Sequence, residues 1–366
     1  MISRIEAGYL LALHQIKGLG NQSLQAIHGS SISFQQAWEE PELLIQKRII
    51  DQTTRSMLLT AKRFMSPEQC EDELRRFGCS YLTRWSPEYP EEMENLHDIP
   101  AVIYYQGNLQ LTNQVSAAIV GSRNATVYGK KVAALLGQQL GEAGITIVSG
   151  VARGIDSTAH RAALATEGST IGVLGSGLDV VYPPENKQLY QDIAENGLLI
   201  SEFPVGTKPN AGNFPRRNRI IAALARAVIV VEANEKSGAL ITTDHALELG
   251  REVWAVPGPI TSPQSRGTNQ LIRDGALLAL EAGEIINCLL PGFGTAAVVR
   301  GQMVDLNLEE GRIMEVIGEY PVHLDEIAAT LDVSHSDLAG LLLKLELKGI
   351  ITCLAGNHYV RNNYLL

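Results

Sequence analysis

Ala117-Ala118-Ile119-Val120-Gly121-Ser122-Arg123 is the stretch whose reading decides the fold. Four apolar residues in a row, then a glycine, predict a short buried strand running into a tight turn. The glycine lets the backbone pass close to a ligand, while freed N–H groups and the positive end of a following helix favour an anion. Arg123 adds a permanent, forked cation at the same turn, so a phosphate group is the natural occupant. Taken alone, the turn is equally compatible with a tight loop bearing a surface arginine.

Working outward, similar apolar runs occur at Ala117–Val120, Ile145–Val148, Thr170–Leu174, Leu198–Ile200, Ala227–Val231 and Val253–Val256, separated by helical patterns. Such alternation predicts an α/β fold, a Rossmann-like parallel sheet with helices on both faces. Ligands of these sheets bind beyond the C-terminal strand ends. Three of those ends carry Gly121-Ser122-Arg123, Ser149-Gly150-Val151-Ala152-Arg153-Gly154 and Gly175-Ser176-Gly177. No complete dinucleotide fingerprint or Walker A loop follows any of the strands, because Gly175-Ser176-Gly177-Leu178-Asp179-Val180 lacks the third glycine. The expected ligand is therefore a phosphate-bearing polymer or an unusual nucleotide.

The densest signal is the run from Phe203 to Ile221, in which a loop is expected over Pro204–Pro215, containing Lys208 and ending in Phe214-Pro215, followed by Arg216-Arg217-Asn218-Arg219. An aromatic ring followed by three arginines in four positions suits base stacking beside phosphate-binding cations. The competing reading makes Phe214 a core plug and pairs some arginines with Glu202 or Glu232. Further on, Lys236-Ser237-Gly238 stands at another predicted helix start, again compatible with phosphate. Asp156 and His160, one helical turn apart, could form an acid–base pair, but the preferred reading is an acid at a helix N-terminus with a structural histidine.

Residues 1–80 read as a helical domain of SAM or helix-hairpin-helix type, with Lys17-Gly18-Leu19-Gly20 between two helices. Few basic residues flank that turn, which favours a packing role over phosphate binding. Residues 81–290 are expected to form the extended Rossmann-like domain, with its core from about 116 and a Pro- and Glu-rich approach over Trp85–Tyr105. A linker is expected over 291–305. Residues 306–366, three helical patterns and a terminal hairpin, spell a winged helix.

The net charge of −10 argues against coating nucleic acid by bulk attraction. Residues 302–366 carry 4 basic and 10 acidic side chains, so the winged helix is expected to serve as an interaction or accessory module rather than a duplex reader. The four cysteines and eight histidines show no metal-ligand spacing, so neither metal nor cofactor is implied. No leader pattern or membrane-length apolar run is present, and a cytoplasmic protein is expected.

The ordered motifs Gly121-Ser122-Arg123, Ser149 to Asp156, Gly175-Ser176-Gly177 with Tyr182-Pro183, Phe214 to Ile221, Lys236-Ser237-Gly238 and Gly267 to Ile272 resemble the bacterial DNA-processing protein A family, DprA, also called Smf. The resemblance implies a non-enzymatic protein that binds single-stranded DNA during natural transformation. It also implies loading of RecA recombinase and a homodimer formed through the Rossmann-like domain. On this sequence the DNA-binding positions become Gly121, Ser122, Arg123, Gly150, Gly175, Lys208, Phe214, Arg216, Arg217, Asn218, Arg219, Lys236, Ser237 and Gly238. Two features depart from the family pattern. No basic residue directly precedes Phe214, leaving Lys208 upstream, and Ala239 stands where serine is usual. The alternative is a Rossmann-like phosphoribohydrolase acting on nucleoside monophosphates, which needs a carboxylate after a Pro-Gly-Gly-x-Gly-Thr run that this chain lacks.

Overall fold

The computed structural model describes residues 2–166, 169–291, 308–318, 321–331, 333–347, 350–354 and 356–361. It divides into two compact units, 1–293 and 294–366. Most of the expected linker, together with Leu306, Lys348 and Gly349, lies outside the described residues.

The larger unit is built on a nine-stranded sheet: β1 Ser80–Thr83, β2 Val102–Gly107, β3 Ser116–Val120, β4 Thr146–Ser149, β5 Thr170–Leu174, β6 Leu198–Ser201, β7 Ala227–Val230, β8 Glu252–Ala255 and β9 Leu277–Leu278. The order is β1-β2-β6-β5-β4-β3-β7-β8-β9. All pairs from β6 to β9 are parallel. β1 and β2 extend one side in antiparallel fashion. Strand β3 shows why the run Ala117–Val120 is uninterruptedly apolar. Ala117 and Ile119 enter the core under the helices Val127–Glu142 and Ile155–Leu164. Ala118 and Val120 enter the core under Asn213–Leu224 and Gly238–Glu248 on the other face. With both faces covered, period-two polarity has no place.

Six strands fall within a residue or so of the apolar runs. The sequence reading missed β1, β2 and β9. β2, Val-Ile-Tyr-Tyr-Gln-Gly, begins inside the approach segment and pairs with β6, a partner nearly a hundred residues away. Its Tyr104 is 1% exposed because the N-terminal helices pack over it, and its hydroxyl meets His14 Nδ1 at 2.9 Å. Those helices share one apolar core with Tyr104, Leu189 and Ile193 of the sheet unit. Asn21 fastens them further, donating to Asp98 at 3.1 Å and accepting from the Ala101 amide at 3.0 Å. The turn at Gly18 has φ +98°, and a Cβ there would stand 2.6 Å from Thr54 Oγ1. The turn thus packs closely against Thr54.

Two buried histidines weaken the fold of this unit as pH falls. Burial, with Arg216 nearby, lowers His14 to about 4. Burial, with Arg217 and Arg161 nearby, lowers His160 to about 3. Both stay neutral in the fold while the unfolded chain protonates below about pH 6.5, so their contribution is present above that value and lost as pH falls. At pH 5 each is expected to have removed about 2 kcal/mol. Asp156 and Glu202, raised by burial, act in the opposite direction. In urea titrations followed by Trp38, Trp85 and Trp254, the stability lost between pH 7 and pH 5 should shrink by about 2 kcal/mol in His160→Gln. An equal loss in both proteins would contradict this.

The smaller unit has helices Leu308–Val316, Leu324–Leu331 and His335–Leu347, with strands β10 Val322–His323, β11 Ile351–Leu354 and β12 His358–Arg361. β12 lies between β10 and β11, and Ile313, Ile317, Ile327, Leu338, Leu342 and Leu345 fill the core. The sequence reading gave the three helices and the hairpin but not β10, whose two residues are too short to show a period.

Candidate nucleic-acid interface

β3 pairs with β4 on one side and β7 on the other, so the chain's crossovers leave in opposite directions there. The loops after β3 and β7 consequently diverge and open a crevice, the place where such sheets bind ligands. A cleft of about 660 Å³ occupies it. Gly121, Ser122 and Arg123 line it after β3, Ser237 and Gly238 after β7, and Phe214, Arg217 and Asn218 from the helix Asn213–Leu224.

Each wall has a local cause. A Cβ at Gly121 would lie 2.9 Å from the Glu232 carbonyl, the same oxygen that accepts from the Ser122 amide at 2.7 Å. The buried Glu232 carboxylate accepts from the Thr126 amide at 2.9 Å and from its hydroxyl, tying the β3 and β7 loops together. Ser237 caps Gly238–Glu248, its Oγ accepting from the Ala239 amide at 3.3 Å. The positive end of that eleven-residue helix therefore borders the cleft.

Phe214 lies in the first turn of its helix rather than in a loop. Pro215 is tolerated there because N–H groups of a first turn have no intrahelical acceptor. This corrects the loop expected through Pro215, and it sorts the arginines. Arg216 and Arg219, three residues apart, share a helix face and meet Glu202, the former at 3.5 Å. Arg219 also donates to the Asp98 carbonyl at 2.5 Å. Neither lines the cleft. Arg217 is rotated to the cleft side, where its Nη1 donates to the carbonyls of Gly150, at 2.7 Å, and Val173. It thus closes the C-terminal ends of β4 and β5 with a buried guanidinium whose pKa burial lowers. Asp156 faces it electrostatically. Burial raises that carboxyl and Arg217 pulls it back down.

Gly150 and Gly175 do not border the cleft but make room for residues that do. A Cβ at Gly150 would fall 2.5 Å from Arg217 Nη2, and one at Gly175 would fall 2.8 Å from Phe214 Cδ1. Arg123 lays its guanidinium over Phe214, 4.7 Å from the ring centroid. Lys208 and Lys236 are exposed and lie outside the lining. Asn218 donates to the Gly238 carbonyl at 3.1 Å, joining the arginine helix to the capped one. The sequence reading missed Asn124, Asn234 and Thr242 as lining residues, since nothing in their local sequence marks them. Among the described residues no group of three or more His, Cys, Asp or Glu side chains is disposed to hold a metal ion, and no helix is long and apolar enough to cross a membrane.

A parallel sheet with a cationic, aromatic cleft at its switch point, joined in one chain to a winged helix, defines a Rossmann-like protein with an appended winged helix. The DNA recombination-mediator protein A model matches residues 80–290 and the DprA winged helix domain model matches 303–357. Protein Smf of Synechocystis sp. is 34% identical, covering 97% of this chain and 99% of its own. The DNA processing protein DprA of Bacillus subtilis is 39% identical over 67% of this chain and 86% of its own. Among solved structures, DprA from Streptococcus pneumoniae is similar with a TM-score of 0.66 and 34% identity, covering 76% of this chain and 96% of that one. DprA from Helicobacter pylori, described for its single-stranded DNA binding mode, is similar with a TM-score of 0.54 and 33% identity, covering 58% of this chain and 95% of that one. The chain belongs to the DprA/Smf family of DNA recombination mediators.

Proposed function

We propose that this protein binds single-stranded DNA in the switch-point cleft, protects it during natural transformation and hands it to RecA recombinase, acting as a cytoplasmic homodimer without catalysis of its own. The carrying observation is the convergence in one cleft of Arg123, Arg217, a capped helix N-terminus and the Phe214 ring. Cations and helix ends serve the phosphate backbone, and an aromatic face serves any base, which is the combination for sequence-tolerant single-strand binding. The single-strand binding named for the Helicobacter pylori relative supports the same reading. Arg123, Arg217, Phe214, Ser122, Ser237 and Gly238 are the assigned contacts. Lys208, Lys236 and Arg216 are exposed nearby cations that add attraction along an emerging strand. The winged helix is assigned to protein contacts.

The hydrolase reading is not favoured. Of the acids near the expected position, Glu232 is engaged with Thr126, and Glu235 lies outside the cleft facing Arg266 at 3.9 Å. Release of free base from nucleoside monophosphates would overturn the non-enzymatic assignment.

The test is an oligonucleotide titration over a salt series. Single strands should bind in preference to duplex. The logarithmic salt slope should fall by about 0.7 in Arg123→Ala, one neutralised phosphate fewer. An unchanged slope, or preference for duplex, would contradict the assignment.

A further inference from the structure

Tyr182 follows the glycine turn after β5 and belongs to none of the contacts assigned above. It lines the cleft, is 40% exposed, and its ring centroid lies 5.7 Å from that of Phe214 at an interplanar angle of 33°. Phe214 is the less accessible of the two rings. Arg123 covers it at 4.7 Å, and it packs so closely on Gly175 that a Cβ there would stand 2.8 Å from Cδ1. An incoming base therefore finds the open aromatic surface on Tyr182, with Phe214 behind it.

The backbone of Tyr182 is also held in place. The buried Tyr190 hydroxyl donates to the Tyr182 carbonyl at 3.0 Å and accepts from its amide at 3.4 Å. A large apolar ring kept exposed at the mouth of a cationic cleft, on a backbone fixed from below, is arranged to stack on a planar ligand rather than to fill the core.

We propose that Tyr182 is a nucleobase-stacking residue, the outer half of an aromatic pair whose inner half, Phe214, supports it and Arg123. The inference rests on the single-strand reading of the cleft and assigns the base-contacting surface within it. Stacking needs the ring and not the hydroxyl, and it adds no phosphate contact.

The experiment uses the full chain with a fluorescent oligodeoxythymidine and an abasic oligomer of equal length. Tyr182→Ala should weaken binding of the thymidine oligomer roughly 5- to 150-fold, the factor that one stacked base supplies, with an unchanged salt slope. Tyr182→Phe should bind as the wild type does. Binding of the abasic oligomer should be the same in all three proteins. Tyr182→Trp should show indole quenching on titration with the thymidine oligomer beyond that of the wild type. If the wild type binds neither oligomer, the single-strand reading of the cleft falls, and this inference with it. If the wild type binds and Tyr182→Ala binds equally well, or weakens thymidine and abasic oligomers alike, Tyr182 is no stacking residue while the reading of the cleft stands.

Discussion

Glu202→Ala should lower the stability of the larger unit by about 3 kcal/mol, since it removes the buried counter-charge of Arg219 and leaves only the partly exposed Asp98 carboxylate, 3.7 Å away. Glu202 is 3% exposed and Arg219 7% exposed, so water can replace neither partner. Burial raises the Glu202 carboxyl, while Arg219 first and Arg216 second pull it back down. The pair also fixes architecture, because Arg219 reaches the Asp98 carbonyl and Asp98 in turn holds Asn21 of the N-terminal helices. The loss should appear in urea titrations at pH 7. Glu202→Ala combined with Arg219→Met should recover much of it, because the only charge then left without its partner is the Asp98 carboxylate, which is partly exposed to water. A loss under about 1 kcal/mol for the single variant would show that water reaches Arg219 after all. Below its unfolding transition Glu202→Ala should keep its affinity for single strands, because neither residue lines the cleft.

Phe214→Ala should weaken binding of single strands by about 1–3 kcal/mol, roughly 5- to 150-fold. The ring is the common neighbour of Arg123, Tyr182 and Gly175, so its removal takes the backing from the cleft's outer aromatic and from its exposed cation. The salt slope should stay near that of the wild type because both arginines remain. That pattern separates Phe214→Ala from Arg123→Ala, in which slope and affinity fall together. A change under twofold in a salt-series titration would return Phe214 to the role of a core plug.

Much of the sheet was legible because strands buried on both faces carry apolar runs without period-two polarity, as Ala117–Val120 of β3 does. β2 was not, since its Tyr104 is buried by helices far earlier in the chain and its hydrogen-bonding partner is β6. The site was legible to a similar depth. The cluster Arg216, Arg217 and Arg219 stood out, but its division between a cleft and an ion-pair network did not. Helical phase separates Arg217 from the other two, and that phase depends on the helix beginning at Asn213.

The sequence by itself determined the strand, glycine turn and helix units, the cationic and aromatic chemistry at their ends, and the family. These are local matters, governed by apolar runs, by turns that admit only small residues and by charges that burial makes costly. The tertiary structure alone decided that β3 and β7 would lie side by side and open the crevice, that Glu202 would claim Arg219, and that Tyr182 would stand against Phe214. Those pairings join residues from about 17 to more than 100 positions apart. They arise from how crossover helices pack on a twisted sheet, which no short window of sequence encodes.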